Sequence, residues 1–340
     1  MPKIIDNLLG DNFMLYRYIS MGKKWAGETL KFPVALTKNN QGKAFAGLDY
    51  LNTGTVESRQ TLSYDPRGYS IPVAVPDLES AVNEQDETRV ISLIKAEMDW
   101  AYMSMCDTLG DMFYGDGTGS TSKEFNGLAN LVDDGTTAAT VGGLSRTTFP
   151  TLSGTRTSFA GVLTMAKLAT LNSAVSAGAA RTQRPSVIVA SESEQNLYET
   201  MLSPTVRANY ETNGLPTVTR TSKRPVASGD LKGTGGFTSF IYRGIPWVAD
   251  EKSPAGSVWM LNESYLMWFG LKYSKYQQIS LGDTTEGPYS DQPTDNVGFQ
   301  WRPFLAPTDQ AAEVAQIFLM GNLVTNQPRR HGRGTSVTGV

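Results

Sequence analysis

One long run of apolar residues, spaced at three- and four-residue steps, limits what this chain can fold into more than any other feature. The run lies within residues 83–114 and is formed by Val90, Ile94, Met98, Ala101, Met105, Leu109 and Met112. This spacing places the side chains on one face of an α-helix. At about 1.5 Å per residue the helix would be roughly 48 Å long, well above the mean globular helix of about 11–12 residues. Such a rod needs a long surface that covers its apolar stripe.

Both ends of this helix carry recognisable signals. Asn83 is the predicted N-cap, with Asp86 three residues later, and the acidic first turn favours the helix dipole. Gly110 is the weak point inside the helix, and the glycine-rich segment 115–120 ends it. That segment follows a helix instead of a strand and lacks the spacing of a phosphate-binding loop. It is therefore predicted to be a flexible helix end.

The region before the helix predicts a long two-stranded flap. One arm covers residues 28–36 and the other residues 58–75, with strong turn chemistry at 38–42. Pro33 and Pro72 lack the N–H that a central strand needs, so both arms are predicted to be edge strands. Each arm would reach roughly 30 Å. Because an isolated ribbon of this length is barely stable in water, it needs a surface to lie on, for example a neighbouring molecule.

The second half of the chain alternates between helical and strand patterns. Residues 163–180 are predicted to form a helix, 185–191 a buried strand, and 192–202 a second helix that begins with a capping box of Ser191 and Glu194. Together with the flap, this indicates a mixed fold of helices and strands. The other predicted elements are a loop over 212–236, strands at 237–242, 245–249, 256–261 and 266–269, and an antiparallel hairpin of 297–305 with 313–324.

Charge is distributed unevenly along a chain whose net charge is only −3. Residues 1–75 contain nine basic and six acidic residues, whereas residues 76–116 contain ten acidic and two basic residues. The basic arm and the acidic helix either contact each other, within or between subunits, or each face solvent. The chain as a whole has no basic footprint typical of nucleic-acid binding.

The residues needed for most hydrolytic chemistry are scarce. His331 is the only histidine and Cys106 the only cysteine, which excludes internal disulfides and thiolate zinc clusters and argues against a Ser-His-Asp triad or a Cys-His pair. Paired carboxylates remain open with 33 acidic residues. For Asp133 and Asp134 a solvated turn is favoured over a cation site. We therefore predict a non-enzymatic protein without catalytic, cofactor-binding or metal-binding residues.

The cysteine, the helix methionines, the tryptophans and the C-terminal arginines each allow a structural and a functional interpretation. Cys106 lies on the apolar side of the long helix and is predicted to be a buried structural thiol. The helix methionines are predicted to belong to the core rather than to a binding face, and the tryptophans to the core or to interfaces. The basic C-terminal tail, which includes Arg329, Arg330 and Arg333, is predicted to be loose, and either contacts DNA or is solvated. The methionines and tryptophans in question are Met98, Met103, Met105 and Met112, and Trp247, Trp259, Trp268 and Trp301.

No targeting or membrane signal is apparent in the sequence. The first ten residues contain no long apolar run, and no window approaches the roughly 18 apolar residues needed to cross a bilayer. We expect a protein that is made in the cytosol.

The order of the landmarks resembles the tailed-phage major capsid proteins of the Hong Kong 97-type fold. The landmarks span most of the chain, and their order is more specific than any one of them. After the arm, the flap and the acidic helix they are Phe125-Asn-Gly-Leu128, Val141-Gly-Gly-Leu-Ser-Arg-Thr-Thr-Phe149, Tyr242-Arg-Gly-Ile-Pro-Trp-Val248, Leu261-Asn262 and Gly321-Asn-Leu-Val-Thr-Asn-Gln-Pro328.

The resemblance implies a division of the α+β fold into named parts. It implies an axial domain whose loops close rings of subunits, and a peripheral domain built around the long spine helix. It also implies a flap, called the E-loop, that lies across an adjacent subunit. The implied divisions are an N-terminal arm (1–24), the E-loop hairpin (25–76), the peripheral domain (77–145, spine helix 83–114), the axial domain (146–271), peripheral return strands (272–326) and a C-terminal tail (327–340).

The resemblance also implies a function. A major capsid protein of this kind self-assembles into pentamers and hexamers of an icosahedral virion shell around double-stranded DNA, within the host cytoplasm. No long charged helix precedes the arm, so we expect a separate scaffolding protein or none. A portal and a decoration protein are further expected partners. We expect no contact with a membrane. Two alternatives stay open: an encapsulin-like shell that encloses enzyme cargo, and a histidine-independent hydrolase with paired carboxylates.

Overall fold

The computed structural model places most of the chain in two six-stranded sheets and one long helix. The residues that it describes are 12–78, 87–180, 183–201, 240–273, 277–278, 298–307 and 311–338. The predicted N-cap Asn83, the predicted loop over 212–236 and the first ten residues therefore lie outside the described residues. The predicted α+β class is confirmed.

The long helix α2 spans Glu87–Tyr114, which corresponds to about 42 Å. Ala101, Met105, Leu109 and Phe113 are buried along it, and the buried cluster continues into the short helix α1 (Phe13–Ser20) and the first sheet. The predicted apolar stripe is thus confirmed where side chains are described.

The first sheet has the strand order β1-β12-β15-β14-β13, and β4 also pairs with β15. Its longest strand, β15, pairs along ten consecutive residues with β4 and, over part of that length, with β14 as well. The predicted late hairpin is therefore confirmed. The strands are β1 (Lys23–Lys24), β4 (Arg67–Pro76), β12 (Leu266–Gly270), β13 (Gln277–Gln278), β14 (Gln300–Leu305) and β15 (Ala312–Thr325).

The second sheet has the strand order β7-β16-β11-β8-β10-β9. One face of β8 contributes Val187 and Val189 to the core shared with α2, and the other face contributes Ile188 and Ala190 to a second core under two helices. This two-sided burial explains why β8 is continuously apolar. The elements are β7 (Thr155–Gly161), β8 (Val187–Ala190), β9 (Phe240–Tyr242), β10 (Ile245–Ala249), β11 (Val258–Leu261) and β16 (Gly332–Val337), with α4 (Met165–Ser176) and α5 (Glu192–Met201).

Smaller elements connect α2 to the second sheet. They are the short helix α3 (Leu128–Leu131), the two-stranded ribbon of β5 (Thr140–Val141) with β6 (Leu144–Ser145), and a 3-10 turn at Pro150–Leu152. The glycine-rich helix end continues into a turn at Gly119–Ser122 in which Ser120 and Thr121 have positive φ.

The flap is shorter than predicted. Strand β2 (Leu30–Ala35) pairs with β3 (Arg59–Tyr64), whereas the second half of the predicted arm, β4, leaves the flap and pairs with β15. The assignment of residues 58–75 to a single arm was therefore wrong. The reason is the break between the strands at Asp65 and Pro66, after which β4 pairs with a long strand that is distant in sequence. Pro33 and Pro72 both lie in strands that have one partner, as predicted.

The C-terminal segment is not a loose tail. Strand β16 lies between β7 and β11 in the second sheet, parallel to β7 and antiparallel to β11. A Cβ on Gly332 would lie 2.4 Å from Val175, and one on Gly334 would lie 2.3 Å from the Phe159 ring. The prediction from sequence was wrong because small residues produce no apolar signal, although here they allow the strand to approach the neighbouring side chains closely.

Candidate assembly surfaces

The tip of the flap exposes an unusual amount of apolar surface. Between β2 and β3, residues 36–58 form an open loop without helix or strand. Phe45 is 64% exposed, Tyr50 94% exposed, and Leu48 is fully exposed, with Leu51 beside them. Several large exposed apolar side chains within one loop are typical of an interaction surface in a soluble protein. The sequence predicted the flap but did not single out these side chains.

The base of the flap is fixed to both neighbouring parts of the molecule. The Tyr64 hydroxyl donates to the Thr325 carbonyl at 2.7 Å, and the Asn322 amide donates to the Asp65 carbonyl at 2.7 Å. Asn322 Oδ1 accepts the backbone N–H of Asn126 at 2.8 Å. Because Tyr64 and Asn322 are buried, loss of either partner would leave a desolvated polar group. The flap therefore projects from a rigid base.

Helix α1 is held by carboxylates from the second sheet's loops. Asp250 accepts the backbone N–H of Met14 and the Tyr114 hydroxyl, both at 3.0 Å, and so supplies from a distance the N-terminal cap that Asn12 does not provide. Arg17 pairs with Glu263, which follows β11. Burial raises the pKa of Tyr114, so this hydroxyl stays a donor. The N-terminal helix thus joins the two sheets.

The acidic helix also binds the second sheet's loops through a lysine. Lys252 Nζ lies 2.6 Å from Asp107 Oδ1 and 3.2 Å from Asp111 Oδ1. This cation comes from the loop after β10 and not from the basic arm of residues 1–75. Part of the negative charge of α2 is therefore balanced within the subunit.

Asp133 organises a loop. Its Oδ2 accepts the backbone N–H groups of Gly135, Thr137 and Ala138. Burial raises the pKa of Asp133, but these donors outweigh burial and leave the pKa below its ordinary value. Asp133 is buried, so the predicted solvated turn was wrong for this residue, while Asp134 is exposed. Within the described ranges no cluster of three or more His, Cys, Asp or Glu side chains suits a metal ion.

Most of the cysteine, methionine and tryptophan side chains that were predicted to belong to the core are buried. Cys106 is buried, and burial raises the pKa of its thiol, so a structural thiol is confirmed. Met105 and Met112 are buried, and Met98 and Met103 half-buried. The tryptophans Trp247, Trp259 and Trp268 are buried and Trp301 is half-buried.

The C-terminal arginines are mainly engaged within the subunit. Arg330 donates to the carbonyls of Ala177 and Gly178, which end helix α4. Arg333 lies over the Trp259 ring at 4.5 Å. Arg329 is exposed. Of the three arginines considered for DNA contact, Arg329 is exposed, Arg333 is half-buried and Arg330 is buried.

Comparison with known proteins decides the fold. No protein-family model matches the chain, and no curated protein matches it. Among solved structures, the capsid protein of cyanophage A-1(L) matches with a TM-score of 0.69 and 15% identity, covering 100% of this chain and 96% of that one. This chain has the fold of phage capsid proteins. The capsid fold extends over its whole length and is shared at very low identity.

Other shells share this capsid fold. The capsid of Myoviridae phage XM1 matches with a TM-score of 0.55 and 10% identity over 98% of this chain and 95% of that one. The SrpI encapsulin from Synechococcus elongatus PCC 7942 matches with a TM-score of 0.57 and 14% identity over 99% and 92%. No helix of the capsid fold, as far as the chain is described, has the length and apolar character to cross a membrane.

Proposed function

We propose that this chain is a major capsid protein that self-assembles into an icosahedral shell. The full-length match to the cyanophage A-1(L) capsid carries the proposal. The exposed apolar tip of the flap supports it, because such a surface is unfavourable in water and becomes buried when a second copy covers it. Pentamers and hexamers around double-stranded DNA are the form of shell that we propose, located in the virion and assembled in the host cytoplasm.

The proposed role is structural and not enzymatic. The single histidine and the single cysteine are both buried, and Asp107 and Asp111 share the same lysine instead of facing a cleft as free acids. These observations disfavour catalysis by His331, by Cys106 or by this carboxylate pair. A separate scaffolding protein, a portal and a decoration protein remain the expected partners, and contact with packaged DNA is proposed to be non-specific.

The division into domains needs adjustment in the proposed shell subunit. Strand β12 pairs within the first sheet, and β16 pairs within the second. We therefore propose that the axial domain comprises about residues 146–261 together with 327–338. The peripheral domain would then comprise 77–145 and 262–326, with the arm and the E-loop as before.

Electron microscopy of the purified full-length chain tests the proposal. Closed icosahedral particles are the expected result. Particles with the 260/280 nm absorbance ratio of bare protein and a co-purifying enzyme would favour the encapsulin alternative. A compact monomer by light scattering, under all conditions tried and with expected scaffolding factors present, would contradict any shell.

Deletion of residues 37–57 tests the role of the flap. These residues form no strand pairing and lie beyond the β2–β3 hairpin, so their removal is expected to leave a folded subunit that fails to assemble. The helical circular-dichroism signal of the variant should equal that of the full chain. Normal particles formed by the deletion variant would refute the role of the flap.

A further inference from the structure

The only histidine of the chain lies buried at the joint between the two sheets. Strand β15 of the first sheet ends at Thr325, a 3-10 turn follows at Pro328–Arg330, and β16 of the second sheet begins at Gly332. His331, immediately before β16, has no exposed surface. Its backbone carbonyl accepts the N–H of Thr155 at 3.1 Å, which continues the pairing of β16 with β7.

The hydrogen bonds of the ring define its protonation state. Nδ1 accepts the backbone N–H of Asn262 at 3.2 Å, and Nε2 lies 3.2 Å from Thr325 Oγ1. A nitrogen that accepts carries no proton, so the ring proton belongs on Nε2. The neutral Nε2–H ring therefore links the turn after β11 to the end of β15.

Further hydrogen bonds of Thr325 and Asn262 extend this connection to the flap and to the segment before β8. The carbonyl of Thr325 accepts the Tyr64 hydroxyl from β3 at 2.7 Å. The Asn262 side chain donates to the Arg184 carbonyl at 2.8 Å, before β8. One buried chain of hydrogen bonds thus connects the flap base, β15, His331 and the second sheet, with the histidine at its centre.

Several of the charged groups around the joint have partners other than His331. Glu263 and Tyr265 belong to the turn after β11, and Glu263 pairs with Arg17. Neither ring nitrogen bonds to a carboxylate. The remaining charged or titratable side chains on the adjoining elements are Tyr64 (β3), Arg156 (β7, beside Asp133), Arg184 (before β8), Arg329 and Arg330 (3-10 turn) and Arg333 (β16, over Trp259).

Protonation is incompatible with this arrangement. A second ring proton on Nδ1 would point at the N–H of Asn262, so two donors would face each other. The new positive charge would be buried without a paired anion, and five arginines lie on the adjoining elements. The ring can carry the proton only if the Asn262 bond opens and solvent or another acceptor reaches it.

We propose that His331 is an acid-sensitive latch that holds the two sheets and the flap base together while its ring is neutral and opens their joint when the ring is protonated. The pKa of His331 supports this, since burial lowers it from 6.5 to about 3 and outweighs the backbone hydrogen bond with Tyr265, which raises it. The depressed pKa means that the closed joint excludes the proton. The latch is therefore fully closed above about pH 6.5 and weakens progressively as the pH falls from about 6.5 towards 3.

Hydrogen exchange on the full-length protein between pH 7 and 4 tests the latch. The measured quantity is the protection of the Asn262 amide, corrected for intrinsic exchange. Because opening takes up one proton, protection should fall about tenfold per pH unit below about 6.5. Strand β8 is buried in the same sheet, and its protection should stay constant over this range. Parallel loss of protection in β8 would indicate general acid unfolding and would overturn the latch.

The variant His331→Asn separates the effect of ring protonation from other effects of pH. In His331→Asn the side-chain carbonyl can accept the Asn262 N–H close to where Nδ1 does, but it takes up no proton. Asn262 protection in this variant should be independent of pH, and an unchanged pH dependence would overturn the proposal.

A measurement on the wild-type chain keeps the test decisive if the variant does not fold. With one histidine, the nitrogen resonances of the imidazole are unambiguous. They should show the neutral Nε2–H form at pH 5. A ring that titrates near pH 6.5 while Asn262 remains protected would refute the latch.

Discussion

Gly110→Ala should destabilise this protein, although the same change stabilises most helix interiors. Alanine is favoured over glycine within a helix by about 1 kcal/mol. Here a Cβ on Gly110 would lie 2.0 Å from Oδ1 and 2.6 Å from Cγ of Asn12. Asn12 is buried and its Nδ2 donates to the Cys106 carbonyl at 2.8 Å. Because the side chain fills the space that the absent Cβ leaves, alanine must displace it.

The magnitude follows from two costs and one gain. Overpacking costs about 1–3 kcal/mol, and a buried amide that loses its partner costs about 1–3 kcal/mol. After the gain of about 1 kcal/mol in helix propensity, Gly110→Ala should lower the free energy of unfolding by roughly 1–5 kcal/mol. Urea unfolding of the unassembled subunit, followed by tryptophan fluorescence, measures it.

A double-mutant cycle with Asn12→Gly provides the control. Once the Asn12 side chain is absent, Gly110→Ala should no longer destabilise and should raise the free energy of unfolding by up to about 1 kcal/mol. The coupling between the two positions should therefore exceed about 1 kcal/mol. If Gly110→Ala stabilises the subunit while Asn12 is present, the proposed contact between α1 and α2 is refuted.

Three further predictions concern the flap, β16 and the Asp133 loop. Replacing the exposed Leu48 and Tyr50 by serine should change the free energy of unfolding by less than about 0.5 kcal/mol but abolish particles in electron micrographs; undiminished assembly would contradict the docking role. Gly334→Ala should destabilise by about 1–3 kcal/mol, since its Cβ would meet a buried ring, whereas Gly42→Ala, with nothing within 4 Å, should be neutral in the same urea assay. The folded pKa of Asp133 is depressed, so the stabilisation that its carboxylate contributes is present above about pH 4 and is lost as the pH falls further. The unfolding free energy of Asp133→Asn should therefore depend less on pH between 5 and 3 than that of the wild-type protein. Equal pH dependence of the two would contradict this.

Much of the secondary structure followed from local patterns. The apolar spacing in α2, the continuous apolar run of β8 and the turn between β9 and β10 each depend on neighbouring residues, so they could be predicted without knowledge of the fold. The Arg243-Gly244 pair, both with positive φ, makes that last turn. Turn chemistry and prolines predicted the flap, whereas the exposure of its apolar tip depends on how the loop lies in the folded chain.

Elements whose partners are distant in sequence could not be placed from the sequence. Strand β4 looked like a continuation of the flap, because nothing local indicates that β15, more than 200 residues later, is its partner. The buried contacts of Asn12 and Asp250 depend on the same long-range packing.

The sequence by itself determined the long helix, the α+β class and the resemblance to phage capsid proteins, because periodicity and ordered landmarks are local properties. Tertiary structure alone decided that Gly332–Val337 form a strand inside the second sheet and that His331 is buried at the joint of the two sheets. The physical reason is that Gly332 and Gly334 contribute almost no apolar surface of their own. They are buried because β7, β11 and helix α4 leave a space that only a strand with small residues can occupy.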